Sequence, residues 1–253
     1  MKKNKLIDFL IIVLVYLALS CIPFGLFIKD NWLILTLQIV MQIGILVFII
    51  LFGFLKSCLD HKQEKINLTN TALMIPTLVV CLSNFIILRY VTGQSPVNAN
   101  LELFLNIGLT LFVVVNEEFI FRLLLINNLE IKNDVLVILI SAGIFGVCHL
   151  THFLSTFNPA DLLVVVYTFL LGLLLGFAYL FTKSIYPCIV IHLLFNILNN
   201  ILFPYFILEW WYFLFTALIA VAVSIYVLLL YLLKMRKSKP EKKWNNSIEN
   251  ITV

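Results

Sequence analysis

Charge is what this sequence has least of. Asp, Glu, Lys and Arg make up 12% of its 253 residues, against 62% hydrophobic, and its mean hydropathy is +1.09. A soluble domain of this size has no use for so much apolar surface, which sets aside the soluble enzyme classes. Cysteine is also sparse. Cys21, Cys58, Cys81, Cys148 and Cys188 are odd in number, scattered and without a C-x-x-C pair, so no disulfide framework is expected. There is no internal repeat, and no pair of Gly/Pro-broken apolar segments in corresponding halves, which argues against a transporter or channel built from inverted repeats. The net charge of +4 sits in loops and tails, so it reads as membrane topology and not as nucleic-acid affinity.

What the chain does have is long apolar runs. Runs of about 20 such residues read as transmembrane helices, and helices satisfy their own backbone groups in lipid where open strands could not. The expected fold class is therefore all-α: a polytopic membrane helical bundle of about eight spans. These are Leu6–Ile28, Trp32–Leu55, Asn70–Leu88, Ala99–Ile126, Asp134–Leu150, Ala160–Thr182, Ile185–Phe203 and Leu208–Leu233. Residues 1–233 form one helical domain on this reading, its motif-bearing core at about 99–203. A basic cytoplasmic tail over 234–253 is expected to be disordered.

The loop charges set the orientation. With the N-terminus inside, the inner segments hold Lys2, Lys3, Lys5, Lys56, Lys62, Lys65, Lys132, Lys183, Lys234, Arg236, Lys237, Lys239, Lys242 and Lys243, and the outer ones only Lys29 and Arg89. Positive residues favour the cytoplasm, so both termini are expected there. The first span resembles a signal peptide with a weak lipoprotein-like Ala18-Leu19-Ser20-Cys21. Its apolar run continues past Cys21, and an uncleaved helix is the reading. Gly172-x-x-x-Gly176 in the sixth span signals close helix packing. Trp210, Trp211 and Tyr212 suit an outer interfacial belt, and Lys56–Asn67 suits a short amphipathic piece on the inner surface.

Against this background a few polar residues stand out, because ionisable groups at membrane depth are costly and usually functional. Glu117 and Glu118 are adjacent in the fourth span, and Arg122 lies one turn beyond Glu118, placed for an ion pair. Glu117 is then left with its own protonation state, as a general base or acid needs. His149 lies in the fifth span. His152, three residues on, looks more exposed and is the weaker candidate, and Cys148 points away from its neighbour and reads as packing. In the seventh span His192 and Asn196 share one helix face. Singly, each group has a bland reading: a helix-end cap, a hydrogen-bonded core histidine, an interhelical amide. Together, a carboxylate and a histidine can hold and deprotonate water while a histidine and an amide stabilise an oxyanion. The same Glu/His/His set also suits Zn²⁺, which lowers the pKa of bound water. Counted along α-helices, Glu117 and His192 lie near the cytoplasmic half of the bilayer. His149 lies about 22 Å from Asp134, so the fifth span is expected to tilt, start late or extend into the cytoplasm.

Glu117-Glu118-x-x-x-Arg122, Phe145-x-x-x-His149 and His192-x-x-x-Asn196, in this order on three apolar segments, resemble the motifs of the CPBP intramembrane proteases. That family includes type II CAAX prenyl endopeptidases and bacteriocin-processing or immunity proteins. The resemblance implies a membrane-embedded endopeptidase in which Glu117 and His149 activate water, His192 and Asn196 stabilise the oxyanion, and Glu118 and Arg122 support them. It leaves a glutamate-dependent and a metal-dependent route (Glu117, His149 and His192 holding Zn²⁺) both open. The expected partners are the lipid bilayer and a membrane-associated peptide or protein, such as a leader peptide, pheromone precursor or bacteriocin in a bacterial plasma membrane. The alternative is a non-catalytic membrane protein for bacteriocin immunity, or for docking a signalling or secretion partner, with the polar cluster structural.

Overall fold

A computed structural model describes residues 3–54, 67–91, 93, 95–202 and 210–238. Every regular element among the described residues is helical. Eight helices of ten or more residues follow the eight apolar runs: α1 (Lys3–Ser20), α2 (Asn31–Phe48), α3 (Thr77–Ile86), α4 (Leu101–Glu118), α5 (Asp134–Cys148), α6 (Leu162–Thr182), α7 (Tyr186–Asn196) and α8 (Trp210–Ser238). Four of them continue as π-helix: α2 to Phe54, α3 to Val91, α4 to Ile126 and α7 to Ile201.

Four helical segments are long and apolar enough to cross a membrane: Ile7–Leu26, Asn31–Leu51, Leu162–Thr182 and Leu214–Lys237. The segments Leu68–Ser83, Asp134–Cys148 and Tyr186–Ile201 are apolar but shorter. The helix carrying Glu117, Glu118 and Arg122 is not among the long apolar ones. Its polar face looks inward: all three side chains are buried, as membrane-depth charges require. The protein is thus an all-helical integral membrane protein. The expected amphipathic segment lies almost wholly in the undescribed 55–66. The tail beyond Ser238 and the side chains of His152, Trp210 and Tyr212 are likewise outside the described residues.

Local sequence explains where the site-bearing helices begin. Asn100 accepts from the Leu103 backbone N–H at 2.7 Å at the start of α4. Asn133 accepts from Val135 and Leu136 at 3.0 and 3.2 Å at the start of α5. Both are asparagine N-caps that satisfy otherwise unpaired donors. Pro187 sits in the first turn of α7, where its missing N–H costs nothing. α5 stops at Cys148, and a separate short helix, Leu150–Thr156, follows; His149 occupies the break.

Two apolar clusters flank the centre. One joins α3, α5, α6, α7 and α8 around Leu174, Leu175, Ala178 and Cys188. The other joins α1, α2, α4 and α5 around Ile12, Ile49, Phe121 and Phe145. α5 and α6 approach closely because glycines leave room. A Cβ at Gly172 would stand 3.1 Å from the Ala142 Cα and 3.2 Å from Phe145 Cδ1, and one at Gly176 would stand 2.8 Å from Ile138 Cγ2. The expected small-residue contact is therefore the α5–α6 seam. Gly146 contributes from the other side, 3.0 Å from the Val165 carbonyl oxygen by the same construction.

Overpacking this seam should cost about 1–3 kcal/mol. Gly172→Val is expected to lower the thermal midpoint in detergent by several degrees. Gly143→Ala on the facing helix α5, with nothing within 4 Å of its Cβ position, should leave it unchanged. Equal midpoints for the two variants would contradict the seam.

Candidate active site

The polar residues singled out from sequence converge between the two clusters. α4 supplies Glu117 and Glu118, and its π-helical continuation supplies Arg122. Glu118 and Arg122 are both fully buried, with Oε2 and Nε 3.1 Å apart. Arg122 Nη1 donates to Ser141 Oγ of α5 at 3.2 Å, and Ser141 Oγ donates to the Phe121 carbonyl at 3.0 Å. The guanidinium also lies 5.4 Å from the Phe145 ring centre, within cation–π range. Arg122 therefore ties α4 to α5, while the other Glu118 oxygen reaches α7, 2.9 Å from His192 Nδ1.

These contacts orient both imidazoles. Glu118 is paired with Arg122 and accepts, so His192 Nδ1 carries the hydrogen and Nε2 points elsewhere. It faces Glu117 Oε2 at 3.7 Å. His149 repeats the arrangement with a backbone acceptor. Its Nδ1 lies 2.9 Å from the Phe145 carbonyl oxygen, which can only accept, and its Nε2 faces Glu117 Oε1 at 4.0 Å. Phe145 holds both rings edge-on, at centroid distances of 4.8 Å from His149 and 5.8 Å from His192. Two Nε2 atoms thus address one carboxylate from separations longer than a direct hydrogen bond. Such spacing suits a small group seated between them.

Among the described residues no three His, Cys, Asp or Glu side chains form a ready-made metal cluster. The donor chemistry nevertheless fits a divalent cation. Both Nε2 atoms face inward, with Nδ1 fixed by a carboxylate or carbonyl as metal-ligating histidines usually are. Two carboxylates against one guanidinium also leave one negative charge to balance when both are ionised.

Some of the site was not visible in the motifs. Tyr16 of α1 donates from its hydroxyl to Glu117 Oε1 at 2.9 Å and is buried. Gln42 of α2 donates to Ser20 Oγ at 3.1 Å and accepts from Asn116 Nδ2 at 2.7 Å. The first two helices, unassigned beyond topology, thus build one wall of the site. The available signal was a tyrosine and two glutamines, Gln38 and Gln42, inside apolar runs. Cys148, read as a packing residue, lines the cavity beside His149.

That cavity has a volume of about 610 Å³, and Glu117, His149, His192 and Asn196 all line it. Asn196 is less buried than His192 and accepts from Asn200 Nδ2 at 3.2 Å. The residue counts for Glu117 and His192 would open the site toward the end of the bundle bearing the termini, and the cavity lies the other way. The cavity runs from Glu117 past the last turn of α1, the middle of α4, the early turns of α6 and the late turns of α7, which is the opposite end. Counting along α4 and α7 does not give the direction of the cavity, because helices do not all begin in one plane. Nor does α5 start late: Asn133 caps it at Asp134, and it runs its full length to deliver His149.

A membrane-embedded helical site of two carboxylates, an arginine and two histidines, on three consecutive motif-bearing segments, defines the class. Residues 99–198 match the family model described as type II CAAX prenyl endopeptidase Rce1-like. The matched segment is similar to the CPBP family of CAAX-type proteases, and it contains all three motifs. No curated protein and no solved structure matches the chain.

Removing one partner of a fully buried ion pair leaves an uncompensated charge, a loss of about 3–5 kcal/mol. Glu118→Ala should therefore lower the thermal midpoint far more than Glu117→Ala. The double variant Glu118→Met with Arg122→Met should recover much of the loss. A double variant as unstable as the sum of the single changes would contradict the pairing.

Proposed function

We propose that this protein is an intramembrane endopeptidase that hydrolyses a peptide bond in a membrane-associated peptide or protein, with Glu117 as the general base. The observation that carries the reading is the approach of two histidine Nε2 atoms to the same glutamate, at 3.7 and 4.0 Å, inside a cavity that a peptide can enter. Water held between Glu117 and His149 loses a proton to the glutamate as its oxygen adds to the carbonyl carbon. His192 and Asn196 then serve the developing oxyanion, His192 as an imidazolium held by Glu118. The proton passes to the leaving amine as the C–N bond breaks. Tyr16 is a positioning residue, since its hydrogen bond fixes one Glu117 oxygen and turns the other toward His192.

Were the family's metal-dependent route used, Glu117, His149 and His192 would hold the ion, and a zinc ion there would supply a more acidic water. In either route Glu118 and Arg122 set the tautomer of His192, and Phe145 sets the angle of both rings. Both termini are assigned to the cytoplasm on the charge asymmetry of the loops.

Detergent-purified protein should cleave members of a panel of membrane-associated peptides. Glu117→Ala and His149→Ala should each lower the rate by at least about 10²-fold, in the range of lost acid–base catalysis. Tyr16→Phe should reduce kcat by a smaller factor with KM little changed. Metal content read on the same samples separates the routes: a stoichiometric ion lost with either histidine marks the metal-dependent one. An uncut panel, with the cellular role intact in Glu117→Ala, would overturn catalysis in favour of a docking or immunity role.

A further inference from the structure

We infer that the site takes its substrate from the extracytoplasmic side, as an extended, uncharged internal segment of a peptide or membrane protein; this rests on the peptidase reading above. Two independent observations meet here. The first is the direction of the cavity. Its exposed lining residues are Cys21, just past the end of α1, and Asn200, in the last turn of the π-helical extension of α7. α1 and α7 both run away from the bundle end that holds Lys3, Lys183 and Ser238. A second cavity of about 310 Å³, lined by Asn100, Glu102 and Asn106, adjoins at Asn200 and prolongs the path at that same far end.

The second observation is the distribution of charge. By sequence, fourteen of the Lys and Arg residues named above belong to the segments assigned inside and two, Lys29 and Arg89, to those assigned outside. Described residues follow this pattern: Lys132, Lys183, Lys234, Arg236 and Lys237 lie at the near end of their helices or loops. The cytoplasm takes the basic end, so the mouth of the cavity faces outward.

The lining chemistry selects the substrate. Beyond Glu117 and the two histidines, the polar groups offered by the wall are hydroxyls and amides, among them Ser20, Gln38, Thr151, Asn196 and Asn200. These suit a peptide main chain. Among the described residues neither lysine nor arginine lines the cavity, so neither side chain is offered there to a free terminal carboxylate. An internal stretch fits this better than a chain's C-terminal end. The volume lies in the range of small-ligand pockets, room for a few residues and not for a folded domain. Hydrolysis there adds the water oxygen to the carbonyl carbon and its hydrogens to the new amine and acid, with no further reactant.

The test uses the wild-type chain in intact cells. A charged, membrane-impermeant maleimide is added before and after permeabilisation, and each cysteine is read by mass spectrometry. Cys21 should be modified in intact cells and Cys58 only after permeabilisation. A membrane-impermeant fluorogenic peptide with an uncharged core is then offered from outside to cells making wild type or Glu117→Ala. Glu117-dependent cleavage is expected, slowed several-fold once Cys21 carries its adduct. Protection of Cys21 until permeabilisation, or cleavage confined to permeabilised cells, would overturn the outward opening while leaving the peptidase. Outward labelling of Cys21 without cleavage in any preparation, detergent included, would instead overturn the peptidase reading.

Discussion

The buried Glu118–Arg122 pair is the constraint on which the site depends. Two charges at 3.1 Å with no exposure are stable only if each has further partners, and these partners lie on two other helices. Ser141 and Phe145 engage Arg122 from α5. His192 engages Glu118 from α7. One ion pair therefore fixes three helices at the depth where Glu117 must act. Its net charge is zero, so Glu117 remains the one carboxylate of the cluster without a guanidinium. Such a pair is weak evidence for stability by itself; its value here lies in orientation. It makes His192 present Nε2, the nitrogen that Glu117 faces.

The second histidine reaches the same point by a different device. α5 ends one residue before His149, and the Phe145 carbonyl one turn back takes the Nδ1 hydrogen. The close α5–α6 seam carries Phe145 between both rings, so packing at Gly172 and the geometry of the imidazoles are coupled through one aromatic side chain. On the other side, α1 and α2 complete the wall through Tyr16 and the Ser20–Gln42–Asn116 bonds. The site is thus made by more of the chain than the segment 99–198 that matches the family model.

Much of this was legible in the sequence, for a physical reason. In a chain this apolar, a carboxylate or histidine at membrane depth is conspicuous, and spacings of four residues on a helix announce shared faces. Glu118–Arg122 needed no more than that. Tyr16 was not legible, because a tyrosine in an apolar run looks the same whether it anchors at an interface, packs in a core or donates to a buried carboxylate. The direction of the cavity was not legible either. Residue counts along Ala99–Ile126 and Ile185–Phe203 agreed with each other, yet depth depends on where each helix starts. His149, whose count disagreed, lies just past the end of α5 and lines the cavity. The span count was only partly supported, since Asp134–Cys148 and Tyr186–Ile201 are shorter than the apolar runs suggested.

The central claim is that Glu117 and His149 act on one water as a single unit. Groups that act as a unit are strongly non-additive when removed. The decisive measurement is the cleavage rate of one peptide by Glu117→Gln, His149→Gln and the double variant, at matched thermal midpoints. The account predicts a double variant no slower than the slower single variant. Rate losses that multiply in the double variant would contradict it, since the two side chains would then be acting independently.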